Sequence, residues 1–173
     1  HEIGHALVGK MLAHTDPVHK ISILPRGGAW GVTWFLPEKD RTYTSKAKYL
    51  DELATLYGGR VAEEVFFGSE YVTTGASSDI ERATEIARAM IMRFGFDKDL
   101  WAENYAPDSL EGNFLGGQAQ EKAISDETRK IIDDKVRKLL QDAYTLARTI
   151  ITTHKDLHEK IAHELLAKVE MLQ

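Results

Sequence analysis

Apolar positions recur every three to four residues along most of this chain and alternate only near its N-terminus, so the pattern predicts a mainly α fold with one small β-hairpin. Ala6, Leu7, Val8, Met11 and Leu12 give an apolar face to a first helix from His1 to about His14. Asp16-Pro17 stops it, because the residue before a proline is pushed out of the α region. Val18 to Leu24 reads as a short strand, Pro25-Arg26-Gly27-Gly28 turns, and Ala29 to Leu36 returns as its partner, covering the helix. A second helix runs from Ser45 to about Gly68, with Tyr49, Leu53, Leu56, Val61 and Val65 in phase across Gly58-Gly59. A glycine costs a helix roughly 1 kcal/mol against alanine, so the pair predicts close backbone packing on a neighbour, naturally the first helix.

After the turn cluster Thr73 to Ser78, Ser77 or Ser78 is placed to cap a third helix carrying Ile80, Ala83, Ile86, Ala87, Met90 and Ile91. Phe94 to about Asp126 resolves into no element, and its length marks it as mobile or functional. Asp126 to Thr153 and Leu157 to Leu172 read as an antiparallel pair of amphipathic helices. Ile131, Val136, Leu139, Leu140, Ala143 and Ile150 form the stripe of the first.

With 173 residues, 43% hydrophobic and 28% charged, the chain fits one globular domain with a real core. The net charge of -5 and the lack of a basic run argue against nucleic acid as a partner. The apolar runs are too short to span a bilayer, so no membrane contact is expected of this chain itself, which should be soluble. With no cysteine, any metal must be held by His, Asp or Glu.

Those types meet in His1-Glu2-Ile3-Gly4-His5, an H-E-x-x-H motif. On a helix, residues four apart share a face, so both imidazoles can reach one Zn²⁺ while Glu2 stands ready to take a proton from water. A third protein ligand would leave one tetrahedral position open. Glu63 and Glu64, one turn beyond the glycine pair, are candidates near the metal. Asp79, in a first helical turn, is a geometrically fixed candidate for the third ligand, but by itself an acid there is ordinarily explained by the helix dipole alone. His154 and His158 repeat the spacing without an adjacent Glu, at what reads as an exposed helix start. GHALVGKM falls short of a phosphate-binding loop, since Met11 replaces the Ser or Thr that would meet Mg²⁺. A copper brace on a true N-terminal His1 fits poorly with the helical context. An extended peptide could add as a strand along the free edge at Trp30 to Trp34.

Taken together and in order, HEIGHALVG, ISILPRG, GVTWFLPEKD, YGGRVAEEVFFG and TTGASSDIERAT resemble the peptidase domain of the FtsH/AAA family of membrane-anchored, ATP-dependent zinc metalloproteases. The resemblance covers nearly the whole chain and implies a helical zinc-metallopeptidase domain over residues 1–173. It implies zinc on His1, His5 and Asp79, Glu2 as general base, and Glu63 as an acid orienting an imidazole. Substrate strands would pair along Gly31, Val32 and Thr33.

The family further implies a homo-hexamer acting on unfolded or membrane proteins, with an AAA+ ATPase domain and a membrane anchor upstream in a longer protein. That protein would sit at the cytoplasmic face of a bacterial inner membrane or on an organelle membrane. The abrupt start on a proposed ligand fits a fragment. Ile3, Trp30, the stretch from Phe96 to Asn113 and the end after Leu166 depart from the family pattern. A catalytically inactive helical oligomerisation module is the alternative reading.

Overall fold

The computed structural model describes residues 1–25, 31–37, 43–100, 103–106 and 124–172. Its elements are α1 (Glu2–Met11), β1 (Val18–Ser22), β2 (Val32–Phe35), α2 (Lys46–Phe67), α3 (Ser77–Met92), α4 (Asp126–Thr153), α5 (Lys155–Lys168) and β3 (Glu170–Leu172). Two 3₁₀ turns, Ser69–Tyr71 and Thr74–Ala76, join α2 to α3. Much of the 94–126 segment lies outside the described residues, as does Trp30.

α1 is buried almost throughout, from Ile3 to Gly9. Val8 faces a main core of Leu53, Val61, Ala87, Met90 and Ile151 from α2, α3 and α4. Ile3 and Ala6 face a second cluster with Ile21 of β1 and Leu165 of α5. A helix covered on both sides must approach its neighbours closely, and the glycines permit that. A Cβ on Gly4 would lie 2.2 Å from the Gly58 carbonyl oxygen, and one on Gly58 would lie 2.5 Å from that of Gly4. α2 runs unbroken through its glycine pair, which serves the predicted contact with α1. Ser45 caps α2 by accepting from the Lys48 amide, and Ser125 caps α4 by accepting from Thr128.

Several boundaries differ from the sequence reading. α1 ends at Met11 rather than His14, and the Thr15 hydroxyl reaches back to the carbonyls of Gly9 and Leu12. Neither Ser77 nor Ser78 caps α3. Ala76 holds that position, and the Ser77 hydroxyl donates to the Thr74 carbonyl instead. The buried stripe of α4 is Ile132, Val136, Ala143, Ala147 and Ile151, which leaves Ile131 38% exposed.

α5 stops at Lys168, four residues before the predicted end. Val169 takes φ 66°, and the chain leaves as β3 to pair antiparallel with β1, Ser22 opposite Glu170 and Ile21 opposite Met171. The hairpin of β1 and β2 is therefore part of a three-stranded sheet in the order β2-β1-β3. Leu165 of α5 consequently packs against α1 and the sheet, so α5 covers α1 and β1 rather than forming the predicted antiparallel pair with α4. Among the described residues, β2 is an edge strand of the sheet, beside the first turn of α1. Among the described residues, no helix is long and apolar enough to cross a membrane.

Candidate metal centre

His1 occupies the cap of α1 and His5 lies one turn on, so both rings hang on the face turned towards α2. The outer nitrogen of each ring is anchored. His5 Nδ1 donates to the Thr55 carbonyl at 2.8 Å, and His1 Nδ1 donates to Glu63 Oε1 at 2.7 Å. A neutral imidazole whose Nδ1 carries the proton presents a bare lone pair at Nε2. The two Nε2 atoms converge to 3.1 Å. Asp79 Oδ2 lies 3.5 Å from each of them, held in the first turn of α3.

Two lone pairs and a carboxylate oxygen facing one another at these distances repel unless a cation or proton sits among them. That arrangement is the fit expected of a divalent metal: two imidazole nitrogens and one carboxylate oxygen, all within 4.8 Å of one another. The surroundings agree. Burial works against charge on His1, but Asp79, Glu63 and Glu2 outweigh it and favour positive charge there. Burial likewise opposes ionisation of Asp79, yet the two imidazoles hold its carboxyl far below the usual range.

Glu63 is 7% exposed, and its partners fix it rigidly. Besides His1, it accepts from the Thr73 amide at 2.6 Å and the Thr73 hydroxyl at 3.2 Å. These bonds overcome the cost of burial and lower its pKa. Glu64 turns the other way, to the Tyr144 hydroxyl and to Arg148 at 3.2 Å, so the acidic pair divides between the site and a tie to α4.

Glu2 stands beside the three donors but is directed at the sheet, where its carboxylate meets Thr33. Gly31, Val32 and Thr33 lead into and form the free edge of β2 next to it. Behind His5 and Asp79 opens a cavity of about 290 Å³, walled by Phe35 and Leu56 and ending at Lys48 and Glu52. A larger groove of about 930 Å³ over α3 and α4 touches none of the donors.

Sequence reasoning missed three supports of the site. Gly59 clears space for the rings themselves, since a Cβ there would stand 2.5 Å from His1 Nε2 and 2.6 Å from His5 Nε2. Only the doubled glycine hinted at this second role. Thr73 and the Thr55 carbonyl, the groups that fix Glu63 and His5, left no local signal. The second histidine pair forms no such site. His158 is buried rather than exposed, and neither ring nitrogen has a hydrogen-bond partner among the described residues.

Residues 1–173 match the protein family described as Peptidase family M41. The chain is 44% identical over 166 residues to the ATP-dependent zinc metalloprotease FtsH of Cupriavidus metallidurans, covering 96% of this chain and 25% of that protein. It is 45% identical over 167 residues to the protein of the same name from Photobacterium profundum, covering 96% of this chain and 24% of that protein. To the chloroplastic ATP-dependent zinc metalloprotease FTSH 1 of Oryza sativa subsp. japonica it is 46% identical over 173 residues, covering 97% and 25%. The chain thus spans about a quarter of the length of these relatives.

Proposed function

From the premise that this chain belongs to peptidase family M41, we propose that it is the zinc-endopeptidase part of a longer ATP-dependent protease, with His1, His5 and Asp79 holding the metal and Glu2 acting as general base. The observation that carries this reading is the convergence of two bare Nε2 atoms and Asp79 Oδ2, with both Nδ1 atoms already engaged. When bound, zinc supplies Lewis acidity that acidifies a water and polarises a carbonyl.

The chain's own residues do the rest. Glu2 takes the proton of the attacking water and returns it to the nitrogen of the departing amine as the carbon–nitrogen bond breaks. Glu63 and the Thr55 carbonyl keep the imidazoles in the tautomer that points Nε2 inward. An unfolded substrate lies along the free edge of β2 at Gly31, Val32 and Thr33, paired through its main chain with little side-chain selectivity. One apolar substrate side chain enters the cavity between Phe35 and Leu56.

ATP dependence, a hexameric ring, membrane association and membrane-protein substrates belong to this proposal for the longer protein. The printed names of the relatives support ATP dependence and zinc. An inactive oligomerisation module is set aside, because Glu2, His1, His5 and Asp79 are all present in the sequence.

Zinc per chain by elemental analysis, with casein cleavage, tests the reading in wild type and Asp79→Ala. About one zinc with activity, both lost in the variant, is the expected result. Full zinc and activity in Asp79→Ala would move the third ligand elsewhere, and no zinc in the wild type would end the metallopeptidase reading.

A further inference from the structure

A general base must be aimed as well as present, and the Glu2 side chain has three torsions through which it could swing. The Thr33 hydroxyl lies 2.7 Å from Glu2 Oε2 and 2.9 Å from the Glu2 carbonyl oxygen. A hydroxyl has one proton to give, and the charged, closer acceptor takes it.

Two residues earlier, and so on the same face of the strand, stands Gly31. A Cβ there would lie 2.7 Å from Glu2 Oε1, 2.8 Å from Cγ and 3.0 Å from Cδ. The carboxyl group therefore rests against a stretch of strand that only glycine leaves open, with one oxygen tied to the next side chain on that face. Val32, between them, faces the other way. The strand itself is fixed over α1, because Thr33 pairs with Ile21, which packs on Ile3 and Ala6.

We propose that Gly31 and Thr33 form a cradle that aims the Glu2 carboxylate, Thr33 by holding Oε2 and Gly31 by making room for Oε1. Oε1 is then the oxygen that takes the water's proton. The inference rests on Glu2 being the base. It makes Thr33 a positioning residue in addition to any main-chain contact with substrate, and it joins the substrate-binding edge to the proton acceptor through one short strand.

The test uses the full-length, zinc-loaded protein and a fluorogenic peptide, with kcat, KM and zinc content measured for Thr33→Val, Thr33→Ser, Gly31→Ala and Glu2→Gln. Valine keeps the β-branched shape and deletes the hydroxyl. We expect Thr33→Val to lower kcat about tenfold, with KM within about twofold of wild type and zinc retained. Serine should recover most of that loss, and Gly31→Ala should lower kcat with zinc retained.

An unchanged kcat in Thr33→Val, a loss confined to KM, or a serine variant as impaired as the valine would each overturn the cradle. Glu2→Gln separates the two levels. If it hydrolyses peptide at the wild-type rate, the base assignment itself is wrong. If it is inactive while Thr33→Val is fully active, only the cradle fails.

Discussion

Two histidine pairs with the same four-residue spacing sit near opposite ends of this chain, and the structure uses them in opposite ways. At His1 and His5, each Nδ1 has an acceptor, each Nε2 is bare, and a carboxylate from a third helix completes the group. At His154 and His158 none of that holds. His154 lies between α4 and α5, while His158 is buried against Phe66, ring centroids 4.5 Å apart, with both nitrogens unpartnered among the described residues. Burial pushes its pKa down to about 4, so the ring behaves as an apolar plate. Spacing thus sets only the possibility of a shared ligand. Acceptors behind the rings and a third donor in front decide whether it is realised.

The comparison can be broken most directly by removing one ring from each pair. His5→Ala should lose zinc and lower peptide hydrolysis by more than roughly a thousandfold, whereas His158→Leu should retain zinc, as elemental analysis and a peptide assay would show. Zinc loss in the second variant would make the two pairs equivalent after all.

Next in size is an effect of pH on stability. The folded pKa of His158, about 4, lies below the ordinary 6.5, so folding favours its neutral form. Its contribution is intact above about pH 6.5 and is lost as pH falls towards 4, by on the order of 3 kcal/mol. Denaturant melts of wild type and His158→Leu at pH 7 and pH 4.5 should show the wild type losing more of its stability on acidification. Equal losses would mean that the ring finds a partner when protonated.

The smallest effect sharpens the role of the acceptors. Glu63→Gln keeps the shape but removes the charge behind His1, and zinc affinity should fall roughly 10- to 100-fold in chelator competition. An unchanged affinity would reduce Glu63 to a tie between α2 and Thr73.

Much of the site's frame was legible in the sequence because it is local. The helical phase around His1 and His5 and the doubled glycine both follow from periods and propensities, and Gly4 meets Gly58 as the pair predicts. Asp79 was not separable from a helix-dipole acid by spacing alone. Its place beside the imidazoles comes from the packing of α3 on α2, and only resemblance to a family singled it out. β3 was hidden for a related reason. Leu165 and Leu172 continue an apolar period that reads as helix, and the break comes from Val169 and from a strand partner far earlier in the chain. His158 misled in the other direction: a polar letter at a helix start says nothing of the Phe66 ring laid over it.

The pairing of β1 with β3 also orders events in time. Ser22 and Glu170, joined by a 2.9 Å hydrogen bond, are 148 residues apart. Synthesis delivers His1, Glu2, His5 and the β1–β2 hairpin before the Thr55 carbonyl, Glu63 and Asp79, while β3, on the far side of β1 from β2, follows only after α5. Contacts of such separation are slow to close and form late. The hairpin that presents β2 to Glu2, the rings and their acceptors can therefore all assemble before β3 is added. A growing chain would bring His1, His5, Asp79 and Glu2 together early, and the late arrival of Leu165 and β3 then closes the second core cluster over α1 and β1.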